Sequence, residues 1–97
     1  MPPTVRAVDG SLEVAGLFGA DNPCYTFESR AAVRSAVLIV DVEAVPTSDL
    51  CIEITAAFAY RVTLARPLGV ARVVVRHDWR RPRAEPVVVQ DTTVRAP

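Results

Sequence analysis

The stretch Ala36-Val37-Leu38-Ile39-Val40-Asp41-Val42-Glu43 decides the fold class, because its residues alternate with a period of two. Leu38, Val40 and Val42 lie on one face of an extended chain, whereas both acidic residues lie on the other face. This alternation, with many β-branched residues, is typical of a β-strand that buries one face. The stretch therefore predicts a strand whose apolar face packs against a second layer.

The same alternation recurs on both sides of this stretch. We predict strands at residues 12–17, 24–28, 36–43, 50–55, 58–65, 70–77 and 87–94, while residues 31–34 either continue the second strand or form a short connection. Turn signals separate them, among them Asp21-Asn22-Pro23 and Arg66-Pro67-Leu68-Gly69. About seven short strands at this spacing predict a single all-β domain, an antiparallel β-sandwich of immunoglobulin-like type. We expect the ordered core to span about residues 10–95, with frayed ends at 1–7 and 95–97.

Composition excludes several classes of protein. The 97 residues suffice for one domain, and 51% hydrophobic content with 23% charged residues is too apolar for a disordered chain. The formal net charge is zero, so broad electrostatic binding to nucleic acid is not expected. No apolar run of about 18 residues is present, which excludes a membrane-spanning helix in this sequence.

Cys24 and Cys51 leave two alternatives open, a disulfide in an oxidising compartment or two free thiols in the cytosol. A metal site is not expected, because two Cys and one His lack the close spacing of zinc ligands. In its predicted strand, each cysteine lies on the same face as polar residues. This placement favours a peripheral staple near the end of a sheet over a bridge through the core. We expect no cofactor.

Residues 76–83 form the most unusual local feature, with several Arg around the single Trp and the single His. The candidate ligand-binding residues here are Arg76, His77, Asp78, Trp79, Arg80, Arg81 and Arg83. Arg beside an aromatic ring can grip phosphate and stack a base, or bind a carboxylate-bearing peptide or a glycan. A solvated loop that joins two strands explains the same composition, and we favour that interpretation.

His77 and Asp78 are the only adjacent residues that resemble a catalytic pair. No serine lies in a Gly-x-Ser-x-Gly setting, and the four glycines are too scattered for a phosphate-binding loop. His77 has the parity of Val73 and Val75, which places it at the inward-facing end of its strand. We therefore expect a hydrogen-bonded structural histidine, no catalytic residues and no enzyme activity.

Several short motifs follow one another along the chain, namely Asn22-Pro23-Cys24-Tyr25, Cys51, Tyr60-Arg61-Val62 and Val73-Val74-Val75-Arg76-His77-Asp78. Their order resembles small exported or lipoprotein-type bacterial β-sandwich proteins of uncharacterised function. The resemblance covers about residues 10–95 and rests mainly on cysteine spacing and alternation. It implies an immunoglobulin-like sandwich with a Cys24–Cys51 disulfide, and it implies no reaction.

These observations favour a non-enzymatic binding or structural module outside the cytoplasm, in the periplasm or secreted. Met1-Pro2-Pro3-Thr4 shows no signal-peptide pattern, so a cytoplasmic location also stays open. The expected partners are a protein, a glycan or a second copy joined through edge strands. A first alternative is a protease-inhibitor-like module that presents residues 45–49 or 78–86 to an enzyme cleft. The other alternative is a nucleic-acid-binding β domain that uses the loop at 76–83.

Overall fold

The computed structural model describes residues 2–20, 24–47, 51, 56–67, 69–79 and 85–94. None of these residues lies in a helix, and most lie in seven strands. The strands are β1 (Thr4–Val8), β2 (Ser11–Ala20), β3 (Tyr25–Arg34), β4 (Val37–Pro46), β5 (Ala56–Ala65), β6 (Arg72–Asp78) and β7 (Val87–Thr93). They form a three-stranded sheet in the order β1-β2-β5 and a four-stranded sheet in the order β3-β4-β6-β7. The predicted all-β, sandwich-like class is confirmed.

The two sheets pack face to face through alternate residues of their strands, as the period of two predicts. Buried core side chains are Leu12, Val14, Phe18, Leu38, Val40, Val42, Ala44, Val70, Val73, Val75 and Val94. Phe27 of β3 meets Phe58 of β5 with ring centroids 5.2 Å apart, which joins the sheets near one edge. The predicted inward faces of β4 and β6 are therefore confirmed.

One pairing differs from the antiparallel arrangement that we expected. β4 and β6 run in parallel, from Val37 opposite Arg72 to Glu43 opposite Asp78, whereas the other described pairings are antiparallel. Parallel neighbours need a crossover connection. Here β5 provides it, because β5 pairs with β2 in the other sheet before the chain returns as β6. Alternation could not reveal this direction, since a half-buried strand has a period of two in either direction.

The first strand corrects the expectation that residues 1–7 fray. Thr4–Val8 pair with β2 through a tight hairpin, and Asp9 and Gly10 occupy the two positions of the turn with φ of 44° and 80°. A two-residue turn with both φ values positive matches the twist of the flanking strands, and Asp-Gly is one of its preferred sequences. The Asp9-Gly10 pair was thus a usable sequence signal for β1.

Two other sequence predictions concern the ends of strands. β3 runs to Arg34, so residues 31–34 continue it, and β4 extends to Pro46 beyond the predicted loop start at 45. Ser35 and Ala36 form the β3–β4 turn with positive φ values of 50° and 61°. The predicted strand at 50–55 lies outside the described residues except for Cys51, and the predicted frayed end at 95–97 lies outside them entirely.

Candidate functional site

The parallel register of β4 and β6 decides the role of Arg76. It places Asp41 directly opposite Arg76, and the guanidinium binds the carboxylate with two hydrogen bonds, Nε to Oδ1 at 2.6 Å and Nη2 to Oδ2 at 2.8 Å. These hydrogen bonds hold the pKa of Arg76 above its usual value. A paired fork of this kind is geometrically specific and uses the donors that a ligand phosphate would need. The role that the structure shows for Arg76 is therefore to bind β6 to β4.

His77 points into the sandwich and is only 4% exposed. Its Nε2 lies 2.7 Å from the Tyr60 hydroxyl of β5, and its ring stacks on Phe18 with centroids 4.4 Å apart. Burial lowers the pKa of His77 and raises the pKa of Tyr60 to about 12. The expected inward position and hydrogen bond of His77 are confirmed. The pair links the two sheets and holds both groups in their neutral forms.

This burial makes stability depend on pH. The folded chain resists protonation of His77, whereas the unfolded chain takes up a proton near the ordinary pKa of 6.5. Stability from this group is therefore complete above that pKa and falls as the pH drops through it, by up to about 1.4 kcal/mol per pH unit. Urea unfolding between about pH 5 and pH 8 measures the slope.

The control for this pH dependence is the variant His77→Gln, which removes the titrating group. We expect it to lose the slope near neutral pH, whereas Tyr60→Phe, which keeps the imidazole, retains it. Equal slopes in the wild-type protein and in His77→Gln would contradict the assignment to His77.

Trp79 follows β6 and is tethered to β2. Its indole Nε1 donates a hydrogen bond to the Gly19 carbonyl oxygen at 2.9 Å, and its ring meets the edge of Phe18 with centroids 4.7 Å apart. A tryptophan at the edge of a core commonly combines apolar packing with one hydrogen bond of this kind. This placement gives Trp79 a packing role, which weakens its interpretation as an open platform for a nucleic-acid base.

The remaining loop residues divide between described and undescribed parts of the chain. Asp78 ends β6, opposite Glu43 in the register with β4. Arg80, Arg81 and Arg83 lie outside the described residues, as does most of the inhibitor-like loop predicted at 78–86. The structure therefore brings four of the seven predicted loop residues to the C-terminal end of β6, and they point to both faces of the sheet.

Cys24 and Cys51 form a disulfide with their Cα atoms 6.1 Å apart. Cys24 directly precedes β3, and its carbonyl oxygen accepts a hydrogen bond from the Thr47 N–H beyond the end of β4, at 3.0 Å. The bridge thus lies at the open end of the β3–β4 hairpin, which confirms a staple at the end of a sheet. Disulfides are typical of proteins that work in an oxidising compartment.

A cleft of about 380 Å³ lies on the outer face of the four-stranded sheet. Its charged lining residues are Arg30, Asp41, Glu43, Arg76 and Asp78. Glu43 is only 1% exposed, and Arg30 binds its Oε1 through Nε at 2.7 Å and through Nη2. This hydrogen bond is also the main reason why the pKa of Arg30 is raised.

Sequence reasoning placed Asp41 and Glu43 on the outward face of β4 but missed both of their arginine partners. Finding those partners requires the registers β3–β4 and β4–β6, which alternation does not provide. These two ion pairs hold β4 to its neighbours β3 and β6, so the charges of the cleft largely neutralise one another. Among the described residues, no group of acidic, His or Cys side chains is arranged to hold a metal ion.

The longest run of exposed residues in the described part of the chain begins at the outer edge of the same sheet. β3 is an edge strand, and every residue from Glu28 to Ala36 is exposed, including Val33 at 49%. Residues of both parities are exposed, so this part of β3 is open on both faces, although the β4 residues opposite Ala31 and Val33, which are Val40 and Leu38, are buried. No described strand pairs with the outer side of β3.

The hydrogen-bonding pattern shows which backbone groups of β3 face outward. The Thr47–Cys24 hydrogen bond continues the β3–β4 register, so the even-numbered residues of β3 direct their N–H and C=O groups to β4. Antiparallel strands alternate in this respect. The odd-numbered residues Ser29, Ala31 and Val33 therefore direct their backbone groups to the open edge.

No helix in the described part of the chain has the length and apolar character needed to cross a membrane.

The described residues offer two surfaces with distinct chemistry, which are the cleft of paired charges and the open edge of β3. Comparison of this chain with protein families, curated proteins and solved structures finds no match.

Proposed function

We propose that this chain is a non-enzymatic binding module that recognises an extended protein segment by adding it as a strand beside β3. The observation that carries the proposal is the run of exposed residues from Glu28 to Ala36, which covers the end of edge strand β3 and the turn after it. Strand addition of this kind gains affinity from backbone hydrogen bonds and specificity from alternate side chains. The disulfide supports a location in the periplasm or outside the cell.

Natural β-proteins usually protect their edges with short strands, proline, bulges or charges, because an open edge pairs with other chains. β1 has only five residues, and β7 carries a register irregularity opposite Val75 and Arg76. β3 is neither short nor irregular, since its ten residues pair with β4 in an unbroken register, and its protection is limited to the charges of Glu28, Arg30 and Arg34. Its residues Ser29, Ala31 and Ala32 are small, so an added strand can approach closely.

β5 is the other long edge strand, but it fits the role less well. Its residues Phe58, Tyr60, Val62 and Leu64 are half-buried between the sheets. An added strand at β5 would have to pack beside side chains that already serve the core. The residues of β3 from Glu28 to Arg34 are all exposed, so a partner can reach them without displacing core residues.

The immunoglobulin-like class and the resemblance to exported bacterial sandwich proteins belong to the same proposal. Sheets of three and four strands fit that class in strand number. The parallel β4–β6 pair departs from its antiparallel pattern. Recognition through an edge or a loop is common among such sandwiches, and it needs no catalytic residues.

Selection from a displayed library of random eight-residue peptides tests the proposal, with the affinity of selected peptides measured by isothermal titration calorimetry. We expect extended peptides that bind wild-type protein and lose at least about ten-fold in affinity on Ala31→Pro, which removes an N–H directed to the open edge. Ala31→Val is the matched control, because it keeps that N–H and suits a strand. Equal binding to Ala31→Pro and Ala31→Val, or no selected peptide, would refute strand addition at β3.

A further inference from the structure

We infer that the strand added beside β3 is the β3 of a second copy of this chain, paired antiparallel with Ala31 opposite Ala31. The inference rests on the proposed function and names its partner. A two-fold axis perpendicular to the sheet would join two four-stranded sheets into one sheet of eight strands. The outer face of one copy would then continue as the outer face of the other.

Side-chain direction restricts the registers that are allowed. Residues directly opposite each other on antiparallel strands point to the same face of the sheet. With the two-fold axis perpendicular to the sheet, an odd-numbered residue of one β3 must therefore lie opposite an odd-numbered residue of the other, and an even-numbered residue opposite an even-numbered one. The axis passes midway between the two copies of one residue of β3, and is named here by that residue. The candidates within the exposed run are the residues from Ser29 to Val33.

Charge decides between these candidates. With Ala31 at the axis, Glu28 of each copy lies opposite Arg34 of the other, which gives two pairs of opposite charge. An axis through Arg30 would place two Arg30 side chains together, and an axis through Ala32 would place Arg30 opposite Arg34. Like charges directly opposite each other are destabilising. A carboxylate can accept from more than one donor, so pairing with Arg34 across the axis is compatible with other contacts of Glu28.

The two outer candidates fit less well. An axis through Ser29 would place Glu28 opposite Arg30, whose guanidinium is already bound to Glu43, and would bring in half-buried Tyr25. An axis through Val33 offers no pair of opposite charges. With Ala31 at the axis, only exposed residues meet over the run from Glu28 to Arg34.

Packing and backbone geometry agree with the same register. Arg30 would lie opposite Ala32, whose small side chain leaves the Arg30–Glu43 pair undisturbed. Val33, which is 49% exposed, would gain a neighbour in Ser29 on the other face. Ala31 directs its N–H and C=O to the open edge, so the two Ala31 residues can exchange both hydrogen bonds at the axis.

Sedimentation equilibrium of the full chain at low salt, with the disulfide intact, tests the inference by charge exchange. We expect a concentration-dependent dimer for the wild-type protein. Glu28→Arg places two Arg pairs across the axis and Arg34→Glu places two Glu pairs, so each variant alone should dimerise about ten-fold more weakly. An equimolar mixture of the two variants should recover dimers. In the mixed dimer the two introduced residues, arginine and glutamate, face each other, and the native Arg34 of one copy faces the native Glu28 of the other. Circular dichroism melting of both variants confirms that these exposed substitutions leave the fold intact.

Two results would overturn the inference. A wild-type chain that stays monomeric up to about millimolar concentration excludes a second copy as the partner. A mixture that dimerises no better than the single variants excludes the register centred on Ala31. Peptides that bind the monomeric chain and are lost on Ala31→Pro would still support strand addition, so failure of the inference is distinguishable from failure of the proposed function.

Discussion

Replacement of both cysteines by serine will lower the free energy of unfolding by about 3–4 kcal/mol. The Cys24–Cys51 bridge joins two residues that are 27 positions apart in the sequence. It restricts the conformations of the unfolded chain far more than those of the folded chain. A domain of this size buries a modest fraction of its surface, so such a loss is a large part of its stability. Urea unfolding of Cys24→Ser/Cys51→Ser against the wild-type protein measures the difference.

The control for this prediction is chemical reduction. A reductant should lower the stability of the wild-type protein by a similar amount and leave the double serine variant unchanged. Alkylation without reductant, followed by intact-mass measurement, should modify no thiol in the wild-type protein. Two alkylated thiols under native conditions would contradict the presence of the disulfide, and a stability that does not respond to reductant would contradict its stabilising role.

Gly16→Ala will destabilise the protein by about 1–3 kcal/mol through overpacking. A Cβ at this position would lie 2.8 Å from the Tyr60 hydroxyl oxygen and 3.0 Å from Cβ of Pro3. The hydroxyl cannot move away freely, because it is hydrogen-bonded to His77. Thermal unfolding should show the loss, and the imidazole NMR signals of His77 should shift.

Gly19→Ala is the matched control on the same strand, since a Cβ there meets nothing within 4 Å. We expect it to change stability by less than about 0.5 kcal/mol. Adding Tyr60→Phe to Gly16→Ala removes the clashing hydroxyl and should recover part of the loss. Equal effects of the alanine substitutions at Gly16 and Gly19 would show that the close contact with Tyr60 does not limit this position.

Sequence patterns predicted the faces of strands well, because burial of one face imposes its own period. Leu38, Val40 and Val42 were placed in the core for this reason, as was the inward end of β6 at His77. The partner of His77 was not predicted. Tyr60 shares an inward face in the alternation, but which two inward residues meet depends on how the two sheets stack.

Strand order and direction were the part that alternation could not provide. The pairing of Asp41 with Arg76 follows from a parallel register between strands that are distant in sequence. The partner of the buried Glu43 depends on a different register, that of the antiparallel pair β3–β4, which brings Arg30 to its carboxylate. By contrast, β1 was predictable from the local turn signal Asp9-Gly10. The exposure of the β3 edge was not, because it depends on which strands lie at the edges of the sheets.

The parallel contact between β4 and β6 has a consequence for how the chain folds. β3–β4 and β6–β7 are antiparallel pairs between consecutive strands, and each can form early because little loop entropy is lost. Asp41 and Arg76, in contrast, are 35 residues apart in sequence. Contacts of such long range slow folding, so we expect the joining of these two hairpins to set the folding rate of the domain.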